Sequence, residues 1–82
     1  MAMGKKQISN AELAARALAA LRLEPGCQTV TSLAIYRLAE PNGSNWEISN
    51  IGLGEASERD VRRGAINVQI RLRRDYDLLP LD

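Results

Sequence analysis

Six arginines, Arg59, Arg62, Arg63, Arg71, Arg73 and Arg74, crowd into one stretch of an 82-residue chain, and this is its densest concentration of one chemistry. Guanidinium groups bind carboxylates and phosphates bidentately, so a nucleic-acid backbone is the first ligand to consider. The acids between them argue for a different role. Glu58 lies four residues before Arg62, Asp60 three before Arg63, and Asp75 four after Arg71. Asp77 lies four after Arg73 and three after Arg74, and Glu55 stands four before Arg59. On a helix each such pair is worth only about 0.2–0.5 kcal/mol, yet together they cancel the local field. Net charge over the whole chain is +1, too little to attract DNA or an anionic membrane at long range. The spacing therefore predicts a solvated, internally neutralised helix face, with nucleic-acid contact as the alternative.

Groups suited to catalysis are sparse. With no histidine, the chain lacks the usual general base near neutral pH and the commonest metal ligand. Cys27, the lone cysteine, has no histidine to activate it and reads as a small apolar filler after a Pro-Gly turn. Glu47, Glu55 and Glu58 have no spacing that would pair them for acid–base work. The Gly-x-Gly at Gly52 to Gly54 lacks the third glycine of a dinucleotide fingerprint and the Gly-Lys-Ser/Thr of a P-loop. Three acids follow it, where an anion would sit, so these glycines read as turn-formers. Trp46, alternating with Ile48, reads as core rather than as a stacking platform. No enzyme activity, cofactor or metal is expected.

The elements that must position these residues follow from periodicity. Ser9 with Glu12 three residues on forms a capping-box signature, and Ile8 with Leu13 fits a hydrophobic staple. Leu13, Ala14, Ala17, Leu18 and Leu21 share one helical face, and Pro25-Gly26 ends the helix. Residues 28–38 are rich in β-branched residues and read as a strand apolar on both sides, hence covered on both. "EPNGSN" is turn chemistry, and "NWEISNI" returns as the second strand of an antiparallel hairpin. A second helix is predicted from Ser57 to Leu79, ended by Pro80. Its stripe runs Val61, Ala65, Val68, Leu72, Tyr76 and Leu79, with Gly64 beside it permitting close packing. Ile66 and Ile70 stand on the opposite, arginine-bearing side, where a surface helix needs no apolar residue.

Residues 1–7 read as a disordered lead, and 8–82 as one compact α+β domain of order α-β-β-α, both helices packed on the hairpin. Without phenylalanine and with three aromatic residues, the core must be Leu, Ile, Val and Ala. A domain this small buries only about 60% of its unfolded surface, so a second subunit would help, for instance by extending the sheet to four strands. "NWEI", the glycine junction and the closing "RLRRDYDL" together resemble a set of small bacterial proteins of unknown function, over residues 27–79. In these a hairpin carrying an Asn-Trp pair precedes an Arg-rich C-terminal helix. The resemblance implies a bacterial, cytoplasmic setting and no activity. One reduced cysteine and the lack of any signal-peptide or membrane-span pattern agree with a cytoplasmic protein. The expected role is a non-enzymatic protein-interaction module. A homodimer is expected, using Ile66 and Ile70, with Arg59, Arg62, Arg63 and Arg73 as a polar rim, or the free edges of the hairpin.

Overall fold

A computed structural model of the chain describes residues 5–38 and 45–79. The predicted turn chemistry at Pro41 and Asn42-Gly43, the stop at Pro80 and the first four residues of the lead lie outside the described residues. The fold is α+β, with two helices on an antiparallel hairpin. Its elements run β1 (Lys6–Ile8), α1 (Asn10–Arg22), β2 (Ser32–Arg37), β3 (Trp46–Gly52), α2 (Glu58–Asp75) and β4 (Tyr76–Leu78).

Both helices start where their caps predict. Ser9 Oγ accepts the Glu12 amide at 3.1 Å and Ser57 Oγ accepts the Asp60 amide at 3.1 Å, each satisfying one orphan N–H of the first turn. Only half of the first capping box forms, because Glu12 spends its carboxylate on Arg16 at 2.9 Å. Leu13, Ala17 and Leu21 are the buried face of α1, and Val61, Gly64 and Val68 that of α2. α2 packs closely at Gly64 on the end of α1 and the segment after it, where a Cβ would stand 3.1 Å from Leu21 Cδ1 and 3.0 Å from Cys27 Sγ and Glu24 Cβ.

In the hairpin Ile35 pairs with Ile48 and Arg37 with Trp46. Alternation puts Leu33, Ile35, Trp46 and Ile48 on the face that joins the core. A bulge shifts the register between Ser32 and Ala34, and Asn50 sits at φ 49°, the left-handed conformation that asparagine tolerates better than most residues. The extra residue turns Ile51 back toward the core, which explains an apolar residue three places after Ile48. The opposite face is open, contrary to a strand covered on both sides: Tyr36 there is 48% exposed.

Two expectations are corrected. Lys6 and Gln7 are not part of a disordered lead but pair in parallel with β4, Ile8 opposite Leu78. The second helix ends at Asp75 rather than near Leu79, with Tyr76 extended at φ −136°, ψ 144°. Long-range hydrogen bonds outweigh the helical stripe at this point. Trp46 Nε1 donates to the Tyr76 carbonyl at 3.0 Å. The Asn45 amide clamps Leu78, accepting its N–H at 2.9 Å and donating to its carbonyl at 3.1 Å.

Candidate docking surface

The outer side of α2 is built by the helical repeat. At about 100° per residue, Arg59, Arg62, Arg63, Ile66, Ile70, Arg73 and Arg74 share a sector opposite the buried Val61, Gly64 and Val68. Ile66 and Ile70 are 54% and 57% exposed, among the largest apolar exposures of the described residues. Two depressions flank Ile66. One, of about 410 Å³, runs between α2 and β3, with Ile48, Leu53, Val61 and Ala65 in its wall and Arg62 and Ile66 at its rim. The other, of about 370 Å³, lies over Glu58, Arg59, Arg62, Arg63 and Asn67, again with Ile66 beside it. Ile66 is thus a ridge between two hollows.

The arginines divide into three groups. Arg62 meets Glu58 at 3.6 Å and Arg63 meets Asp60 at 3.1 Å, as helical spacing predicts. Arg71 turns instead to Glu24 at 3.4 Å, across the α1–α2 contact and away from Asp75. Asp77 has left the helix for β4 and meets Lys5 at 3.7 Å, so it serves neither Arg73 nor Arg74. Glu55 precedes the helix, which begins at Glu58, and makes no ion pair with Arg59. Among the described residues neither Arg59 nor Arg74 has an ion-pair partner. Arg73, expected in the outer rim, is folded back: its guanidinium lies 5.8 Å over the Trp46 ring and donates to the Trp46 carbonyl at 2.7 and 3.2 Å.

Arg73 belongs to a pair of residues that close the sheet edge. Gln69, one turn earlier, accepts the Ile48 N–H at 2.7 Å. Residues 46 and 48 are those of β3 whose backbone groups face away from β2, so Gln69 and Arg73 occupy the edge that a further strand would use. On the other side of the hairpin Asn10 Nδ2 donates to the Ile35 carbonyl at 2.9 Å. Sequence inspection missed this use of Gln69 and Arg73. Their i, i+4 spacing on the flank of a predicted helix was the available signal, but nothing local names its target.

The remaining candidates fall elsewhere. Trp46 is fully buried, as expected of core. Cys27 is buried too, its thiol donating to the Asp60 carbonyl at 3.5 Å. Burial, aided by the charges of Asp60 and Glu24, pushes that thiol's pKa up, the reverse of a nucleophile's. Gly54 has φ +59° with the Thr29 carbonyl pressed against it, 2.0 Å from where a Cβ would stand, so it serves a turn. No three His, Cys, Asp or Glu among the described residues are grouped to hold a metal ion, and no described helix is long and apolar enough to cross a membrane. Comparisons with protein-family models, curated proteins and solved structures returned no match.

Proposed function

We propose that this chain is a small, non-enzymatic protein-interaction module, of bacterial and cytoplasmic setting, that docks another protein through the outer face of α2. The observation that carries this is Ile66 and Ile70, both more than half exposed, with a hollow of mixed polar and apolar lining beside Ile66. Two β-branched apolar residues in water, ringed by charge, have the layout of an interface centre and its rim. The non-enzymatic part rests on composition and on a thiol buried and held protonated. The cytoplasmic part rests on the lone reduced cysteine.

Self-association through this face is less favourable than docking a different protein. With Arg73 turned back onto Trp46, Arg59, Arg62, Arg63 and Arg74 outnumber the carboxylates at the margins of the sector, Glu58 and Asp60, which are already engaged, so two copies face to face would bring net positive charge together. The hairpin edges are occupied at Ile35, Trp46 and Ile48 by side chains of the two helices. A nucleic acid would satisfy Arg59 and Arg74 but would leave the isoleucines without a role.

The test is site-specific photo-cross-linking in cells, with Ile66 or Ile70 replaced by a benzophenone amino acid and Tyr36 replaced likewise as the control. A discrete protein adduct is expected from positions 66 and 70 but not from 36, and Ile70→Glu should abolish the adduct from position 66. Adducts no stronger than those from position 36 would overturn the docking surface. An adduct of twice the monomer mass would replace the separate partner with a homodimer.

A further inference from the structure

Resting on that docking reading, we infer that the occupant is an acidic amphipathic helix of about four turns. It lies along α2 with apolar side chains over Ile66 and Ile70 and carboxylates reaching Arg59 and Arg74. Charge selects its sign. With Arg73 turned back onto Trp46, four arginines in the sector face two acids at its margins, Glu58 and Asp60, which are engaged with Arg62 and Arg63. Arg59 and Arg74, near the two ends, have no ion-pair partner among the described residues. A partner with carboxylates at both ends supplies what the face lacks, and a basic partner is repelled.

Length follows from the same two arginines. Fifteen residues separate them, about 22 Å along an α-helix, the length of a partner helix of about fifteen residues. Shape selects a helix over an extended strand. Addition of a strand to β3 needs the Ile48 N–H and Trp46 carbonyl, and both are taken, by Gln69 and Arg73. A ridge residue with a hollow on either side suits the side-chain rows of a helix, which pack ridges into grooves. The 410 Å³ hollow beside β3 would receive one large apolar side chain as the anchor.

The probes are three: a fluorescent fifteen-residue helical peptide with a leucine stripe flanked by glutamates, the same peptide with lysines for the glutamates, and a short DNA duplex. Anisotropy titrations against the full chain should show binding of the acidic peptide and not of the lysine peptide. Arg59→Glu with Arg74→Glu should weaken the acidic peptide on the order of tenfold and admit the lysine peptide, while Ile66→Ser with Ile70→Ser should weaken both. All four positions are exposed, and circular dichroism checks each variant's fold; Arg59→Gln with Arg74→Gln gives a milder loss that does not depend on introduced acids. No binding of the acidic peptide, or equal binding of both peptides, would overturn the inference. So would preference for the duplex with a steep salt dependence and indifference to the isoleucine variants. If cross-links from position 66 persist in those cases, the docking surface stands and only the partner class falls. If the cross-links are absent, both fall.

Discussion

Replacing Asn45 with alanine should unfasten the C-terminal strand. The Asn45 side chain makes two bonds to one backbone unit, accepting from Leu78 N at 2.9 Å and donating to Leu78 O at 3.1 Å. Leu78 is 1% exposed, so both backbone groups lose their partner in a buried site. A buried polar group left unsatisfied costs about 1–3 kcal/mol. Partial access of water at the loosened strand puts the sum at about 2–4 kcal/mol. A domain of this size has about 4–12 kcal/mol in all, so the melting temperature should fall by more than about 10 °C. Urea unfolding followed by the single tryptophan, Trp46, measures the loss, and hydrogen exchange at the Leu79 amide, bonded to the Ile8 carbonyl at 3.0 Å, reports whether β4 has come loose. Asn45→Asp separates hydrogen bonding from packing. Its ionised form sets a carboxylate oxygen against the Leu78 carbonyl and should be at least as unstable as alanine. Once protonated it can donate there, and since burial against a carbonyl raises the folded pKa, the recovered stability is present at low pH and lost as pH rises. The clamp is refuted if Asn45→Ala unfolds within about 0.5 kcal/mol of the parent with Leu79 exchange unchanged.

Three further outcomes are expected. Gly64→Ala should change stability by less than about 1 kcal/mol, because helix propensity gained offsets the tight approach of Cys27 and Glu24, whereas Gly64→Leu should cost several kcal/mol and separate the helices, as chemical denaturation will show. The raised pKa of Cys27 means that the folded chain holds the thiol proton more tightly than the unfolded one. Stability should therefore fall as pH rises above the ordinary thiol value of about 8.5, and that alkaline slope should shrink in Cys27→Ala when unfolding is measured across pH. Gln69→Ala frees the Ile48 N–H and should cost about 1 kcal/mol; sedimentation should also show concentration-dependent self-association through the uncovered β3 edge.

The elements that the sequence made legible are those whose signals are local. Ser9, Ser57 and the apolar periodicity of each helix lie within a few residues of what they specify, and both helices begin where those residues indicate. The hairpin is legible for the same reason. β1 and the end of α2 are not. The stripe of α2 continues at helical spacing through Tyr76 and Leu79, and only contacts from Trp46, Asn45 and Ile8, distant in sequence, pull that segment into a strand. From the sequence Ile8 shows only as a helix staple, because β1 has three residues, one of them buried, too short for alternation to register. The arginines obey the same division. Arg62 and Arg63 found the acids at their own helical spacing, while Arg71 and Arg73 went to Glu24 and Trp46, which no local spacing could indicate.

This distribution of polar side chains also bears on how the surface can be used. A two-stranded hairpin is marginal alone and exposes two edges that invite further strands. Here Asn10 bonds one edge, Gln69 and Arg73 bond the other, and Asn45 bonds the backbone of β4. Each of these side chains substitutes for a neighbouring strand, so the sheets need no second chain to satisfy those backbone groups. The apolar surface still open to water includes a helical face, and it lies on the same helix whose Gln69 and Arg73 close β3. Docking on α2 would press on Gln69 through Ile66 and the hollow that both share with Ile48. A bound partner should consequently slow exchange of the Ile48 amide, which lies on the sheet and outside the outer α2 sector.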